Sequence, residues 1–157
     1  MTAPDAPTLI SLVDEPIDVQ AVYAALTHPT CGAVNLFVGT TRDHHERRPV
    51  AELAYEAYRP MALQELQALA DEARQRFPEV VGIALVHRLG QVPVAEASVV
   101  AGVSSAHRGV AFEASEWVMN TLKARVPIWK KESYRDGGAP QWVANKEALS
   151  KTKEPRS

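Results

Sequence analysis

The residues best suited to chemistry lie between Ser104 and Glu132, in the stretch SSAHRGVAFEASEWVMNTLKARVPIWKKE. His107 and Arg108 stand where a helix would begin. Lys123, Lys130 and Lys131 gather around Pro127 near its end, beside Glu132. A helix N-terminus offers unpaired N–H groups and the positive end of the dipole, both favourable to an anion. Arg108 adds a planar fork suited to carboxylate or phosphate, and Ser104 or Ser105 is placed to cap that end. The plainer alternative is that capping serines precede many helices and that Arg108 is a solvated surface residue. A Ser-His nucleophile pair is disfavoured, because no GxSxG elbow accompanies it.

The lysines divide in the same way. Glu113, Glu116, Asn120 and Lys123 follow helical spacing and form one polar stripe. Lys123 falls in the last turn, where the dipole alone is a sufficient reason for a cation. In an extended Pro127–Tyr134 segment, Ile128, Lys130, Glu132 and Tyr134 share one face, and Trp129, Lys131 and Ser133 the other. A lysine flanked by apolar residues is desolvated, which suits it to acid/base or covalent work; the alternative is that it snorkels to water.

Arg42 follows an apolar strand and Gly39, and a strand end leading into a charged loop is a common seat for a functional residue. Asp43, His44, His45 and Glu46 carry metal-ligating groups. Sequence neighbours on a loop rarely converge on one ion, and no HxxxH spacing supports a site, so they read as a solvated loop with no metal. His87-Arg88 ends a strand and is placed to line a cleft. His28 reads as incidental.

Interleaved strands and helices must position these groups. Leu9–Val13 reads as a strand. Asp18 reads as the N-cap of a helix through about Thr27, with Val19, Val22, Tyr23 and Leu26 on one face. CGAVNLFVG, residues 31–39, predicts a buried strand, residues 40–49 a loop, and AELAYEAY an alternating strand with Leu53, Tyr55 and Ala57 on one side. Pro60 opens a second helix that Pro78 ends, its apolar face built from Met61, Leu63, Leu66, Leu69, Ala70 and Ala73. Strands near Val80–Leu89 and Ala97–Ser104 flank a turn at VPVAEA. A long helix over about 106–125 buries Val110, Ala114, Trp117 or Val118, and Leu122, and stops because Val126 precedes a proline. Pro127–Tyr134 and Gln141–Val143 read as strands and residues 136–138 as a loop. No internal repeat or linker divides the chain, and the pattern favours one α+β or α/β domain. Residues 1–7 read as a mobile N-terminus and residues 147–157 as a polar, flexible tail.

The composition sets limits on these sites. A chain of 157 residues suffices for one well-buried core. A net charge of −2 argues against bulk attraction to nucleic acid or an anionic membrane, so any basic site must be local. No apolar run approaches the roughly 18 residues of a membrane helix. The start lacks a basic region followed by an apolar one, and the single Cys31 excludes an intrachain disulfide or a CxxC site, which together read as cytoplasmic.

FVGTTRDH at 37–44, LAYEAYRPMA at 53–62, HRLG at 87–90, VSSAHRGVAFEA at 103–114, LKARVPIWKKE at 122–132 and WV at 142–143 together resemble the large, catalytic subunit of molybdopterin synthase, the MoaE family. The resemblance spans about residues 8–146, and SSAHR combined with LKxRVPIWKKE makes it specific. It implies a single α+β domain of the α/β hammerhead type, with a mixed sheet and about three helices. It also implies a homodimer within a heterotetramer, each copy binding a small ubiquitin-like (MoaD-like) sulfur carrier that ends in Gly-Gly. The carrier's terminal thiocarboxylate would deliver sulfur, in two rounds, to cyclic pyranopterin monophosphate, forming the dithiolene of molybdopterin with no cofactor of the chain's own. Matched position by position, Lys123 and Lys130 fall on the family's active-site lysines. Arg42, His107 and Arg108 fall on its anion-binding residues, and Lys131 and Glu132 adjoin the carrier-tail pocket. The chain departs from the family pattern at His45 and Arg47, where relatives often carry Asn and Gly, at Ala95, where Gly is common, and at Asn120, where Asp is frequent. Cys31 offers no persulfide relay, so sulfur would arrive on a partner. Two other functions compete: a catalytically silent dimer that binds a ubiquitin-like tail, and a phosphate-ester hydrolase using His107.

Overall fold

A computed structural model describes residues 6–135 and 139–144. The expectations for residues 1–5, 136–138 and 145–157 lie outside the described residues. The rest forms an α+β fold with three helices, as expected, but its strands divide between two sheets rather than forming one mixed sheet.

The first sheet has strand order β1 (Thr8–Val13), β5 (Val80–Arg88), β7 (Ala97–Ser105), β2 (Ala33–Thr40). β1 runs parallel to β5, and the other pairs are antiparallel, so the sheet is mixed. Both faces are covered. Helix α1 (Val19–Leu26) packs Val22 and Leu26 against Ala84, Val86 and Val100 on one side. Helices α2 (Arg59–Arg76) and α3 (Arg108–Arg125) cover the other, over Ile83, Leu85, Val99, Ala101 and Val103. Two covered faces explain why β5 and β7 read as continuous apolar runs rather than alternating ones. Gly102 lets α1 approach: a Cβ there would lie 2.4 Å from Leu26 Cδ1.

The second sheet centres on β4 (Arg48–Ala57), which pairs with β8 (Ile128–Tyr134) on one side and with the short β6 (Gly90–Pro93) on the other. β9 (Gln141–Ala144) extends it beyond β8, and β3 (His44–His45) folds back on the start of β4.

Local signals act as the sequence predicts at several points. Asp18 caps α1 by accepting from Ala21 N–H at 3.0 Å. Pro60 lies in the first turn of α2. Val126 is extended (ψ 124°) and ends α3.

Several expectations are corrected. β2 is an edge strand, not a buried one, and Phe37 and Val38 remain exposed because nothing pairs beyond them among the described residues. Tyr23 of α1 and Met61 and Leu63 of α2 point outward, and Ala62 instead joins Leu66, Leu69, Ala70 and Ala73 in the core. On α3 the buried set is Ala111, Ala114, Ser115, Val118, Met119 and Leu122, with Val110 and Trp117 at its margin. Part of the 40–49 loop is the hairpin β3–β4, and part of the VPVAEA turn is β6.

Candidate functional site

β8 emerges directly from the proline stop of α3, so Lys123 in the last helical turn and Lys130 on the strand belong to neighbouring elements. The alternation read from sequence holds. Ile128 and Glu132 are buried, Lys130 and Tyr134 are partly buried, and Trp129 is exposed on the other face. In register, Lys130 lies opposite Tyr55, Glu132 opposite Leu53, and Tyr134 opposite Val50.

Glu132 is the centre of the arrangement. Its side chain is 2% exposed, and an ionised carboxylate at that depth needs partners. Tyr134 O–H donates to Oε2 at 2.5 Å. Lys130 Nζ and His45 Nδ1 each approach Oε1 at 3.7 Å. The bond to Glu132 is the leading reason that the Tyr134 hydroxyl is held above its ordinary pKa, and the Arg48 guanidinium sits 3.6 Å over the Tyr134 ring. A buried pair of this kind adds little to stability once desolvation is counted, whereas removing one partner leaves an uncompensated charge. Its chemical value is a fixed ammonium with a hydrogen-bonded counterion.

A second layer lies beneath. Tyr55, 4% exposed, has its hydroxyl pKa raised chiefly by burial; a hydrogen bond with Ser98 opposes that shift and the Glu132 charge adds to it. The His87 ring meets the Tyr55 ring edge-on at 4.9 Å and so joins the two sheets. His87 Nδ1–H donates to Arg88 O at 2.8 Å. Burial above all, helped by the nearby charge of Lys123, pushes the His87 pKa down to about 4. The imidazole is therefore neutral at pH 7, and with Nδ1 committed as donor, Nε2 is left as an acceptor. His87 is thus buried rather than lining an open cleft. Arg88 pairs with Glu96 at 2.8 Å.

The remaining sequence candidates are not brought to this cluster within one chain. His107 is the N-cap residue of α3 but makes no side-chain capping bond, and neither serine caps the helix. Ser105 Oγ donates to His107 O at 2.7 Å, and Ser104 Oγ accepts from Gly82 N–H at 3.0 Å. His107 and Arg108 are exposed at the far end of the helix from Lys123, about 22 Å away at 1.5 Å per residue. Beside Arg108 is a cavity of about 310 Å³, lined also by Leu36, Ala111 and Phe112. Arg42 is exposed just after Thr41, whose N–H donates to Glu96 O and whose carbonyl accepts from Ala95 N–H. Lys131 faces away from Lys130, its ammonium 5.5 Å from the centre of the Trp142 ring.

Sequence reasoning missed His45. It reads as a solvated loop residue but meets Glu132 across the fold. Among the described residues, no group of three His, Cys, Asp or Glu side chains is placed to hold a metal ion.

The profile of a family described as "MoaE protein" matches residues 12–125. A relative from Homo sapiens named molybdopterin synthase catalytic subunit is 48% identical over 141 residues, 90% of this chain and 73% of that protein. One of the same name from Drosophila willistoni is 46% identical over 140 residues, 89% of this chain, but the chain spans only 38% of its length. Among solved structures, molybdopterin synthase from Staphylococcus aureus superposes with a TM-score of 0.79 at 34% identity, covering 84% of this chain and 94% of that one.

Proposed function

This chain belongs to the MoaE family, and from that membership we propose that it is the catalytic subunit of a molybdopterin synthase, a sulfurtransferase of molybdenum cofactor biosynthesis. In this reading sulfur passes from the C-terminal thiocarboxylate of a small ubiquitin-like carrier ending in Gly-Gly to cyclic pyranopterin monophosphate. The observation that carries it is the placement of Lys130 on buried, hydrogen-bonded Glu132, one proline turn from Lys123. Tail binding alone would not require a desolvated ion pair at that position.

Each residue has a role in this scheme. Lys123 stabilises or protonates the negative charge that develops as sulfur attacks the pterin. Lys130, oriented by Glu132, holds the carrier's terminal carbonyl. Both the carrier tail and the cyclic phosphate are anions, and charge-assisted hydrogen bonds from fixed cations bind them without reorganisation. Lys131 and Glu132 border the tail's path. Arg42, His107 and Arg108 bind anionic groups.

His107 and Arg108 lie too far along α3 to serve the lysines of their own chain. We therefore place them in the site of a second copy within a homodimer, each copy carrying one small subunit. Support comes from Phe112, exposed one helical turn from Arg108, and from the unpaired β2 edge farther along, where Phe37 and Val38 are also exposed. An unpaired apolar edge of this kind is usually covered. A cytoplasmic setting is part of the proposal, and no helix among the described residues is long and apolar enough to cross a membrane.

The test is a reconstitution of the purified chain with a thiocarboxylated carrier and cyclic pyranopterin monophosphate, read by mass spectrometry. The proposal expects a pterin carrying two added sulfurs. A stable carrier complex that yields no sulfurated pterin would instead make the chain a tail-binding module.

A further inference from the structure

His45 has no role in the sulfur-transfer scheme, yet it meets the carboxylate that orients Lys130. His45 Nδ1 and Lys130 Nζ stand 3.7 Å from the same oxygen of Glu132, while the other oxygen accepts from Tyr134. Two groups of different chemistry thus share one buried carboxylate oxygen. One is the amine of a lysine. The other is of the one side-chain type whose ordinary titration falls between pH 5 and 8.

We propose that His45 is a positioning residue for Lys130, acting through Glu132. With the imidazole neutral, the Glu132 charge is balanced by Lys130 and tethers it. With the imidazole protonated, two cations divide the same oxygen, and the hold on Lys130 loosens. The ammonium then turns more readily to an arriving carboxylate or thiocarboxylate. This deepens the sulfurtransferase reading and rests on it for the identity of the arriving anion.

The surroundings of His45 fit the role. On its own hairpin, Glu46 Oε1 lies 3.8 Å from Nε2, but Glu46 is 84% exposed and its pull is screened by water. His44 is paired with Asp43 rather than with Glu132. From β4, Arg48 lies opposite His45 in register with its guanidinium over the Tyr134 ring, and Tyr55 lies close enough to Glu132 to feel its charge. From β8 come Lys130, Glu132 and Tyr134. Among these described groups, Glu132 is the only carboxylate that is both buried and shared. The imidazole itself is 37% exposed, so it can exchange protons with water while acting on a group that cannot.

Two measurements on wild type and His45→Asn test this. The first is ¹³C NMR of the Glu132 side-chain carboxyl from pH 5 to 8, which needs neither carrier nor turnover. A step in the wild-type signal that coincides with titration of the His45 ring, absent in His45→Asn, is expected. The second is calorimetric binding of a Gly-Gly-ended ubiquitin-like carrier in its ordinary carboxylate form. Relative to His45→Asn, wild type should bind about fivefold more tightly at pH 6 than at pH 8, the scale of one partly exposed charge pair. A wild-type carboxyl signal with no such step, or the same step in His45→Asn, overturns the proposal. So does identical pH dependence of binding in the two proteins. A carrier that binds neither protein defeats the functional reading instead, and the NMR result still decides the role of His45.

Discussion

Acidification should unfold this protein through His87 in a way that one substitution removes. The ring is 1% exposed, bonded to Arg88 O and packed on Tyr55. Its pKa in the fold is about 4, against an ordinary 6.5. Because the folded value is the lower one, the unfolded chain takes up a proton first as pH falls, and stability drops from about pH 6.5 down to about pH 4. The gap corresponds to about 3 kcal/mol, of which about 2 kcal/mol is gone by pH 5. Other groups also titrate in this range, so the quantity to measure is a difference. Urea unfolding of wild type and His87→Phe, at one protein concentration from pH 7.5 to 4.5, isolates the histidine. His87→Phe keeps an aromatic ring against Tyr55 but cannot charge. It should be the less stable protein at pH 7.5, through the lost bond to Arg88 O, and the gap should close by about 2 kcal/mol at pH 5. Parallel stability curves would refute the reasoning, because they would mean that the ring is neither as buried nor as neutral as the packing requires.

Other predictions are more local. Glu132→Gln keeps an acceptor for Tyr134 but removes the counterion of Lys130, and should lower turnover by about tenfold or more, an effect of about 1.4 kcal/mol on the barrier, together with a loss of stability in urea because the Lys130 charge is left uncompensated. The β3–β4 turn holds Glu46 and Arg47 at φ 48° and 69°, the left-handed conformation that a two-residue hairpin favours but that side chains resist. Glu46→Asn with Arg47→Gly should therefore raise stability by about 1 kcal/mol and Tm by about 3 °C. Gly32→Ala would place a Cβ 2.7 Å from the backbone oxygen of Ala106, just before His107. It should cost about 1–3 kcal/mol by the same urea assay, since backbone must give way.

Much of this fold is legible in the sequence because its signals are local. The proline after Val126 ends α3, Asp18 caps α1, and the alternation of β8 puts Lys130 with Glu132 on the inward face. The central strands β5 and β7 show as unbroken apolar runs because helices cover both faces. The same kind of run in CGAVNLFVG leads to the opposite outcome, since no periodicity tells a central strand from an apolar edge. On α2, alanine faces either way at little cost, so the choice of Ala62 over Met61 and Leu63 is made by the close approach of neighbouring elements. His45 is hidden for another reason: its partner Glu132 lies far along the chain, and only the β3–β4–β8 pairing brings them together. The separation of His107 and Arg108 from Lys123 is implicit in the length of one helix, but a second copy to reunite them is not written in any motif.

The central claim is that Lys123 and Lys130 act together on sulfur transfer. Its most direct test is single-turnover mass spectrometry at saturating thiocarboxylated carrier, comparing wild type with Lys123→Ala and Lys130→Ala, each checked for an intact fold. The account predicts two sulfurs added per pterin by wild type, and a fall of at least about a hundredfold in rate for Lys123→Ala with carrier binding retained, the scale of one lost proton donor or charge stabiliser. Lys130→Ala should slow the reaction and weaken carrier binding together. Near-wild-type rates in Lys123→Ala would contradict the account.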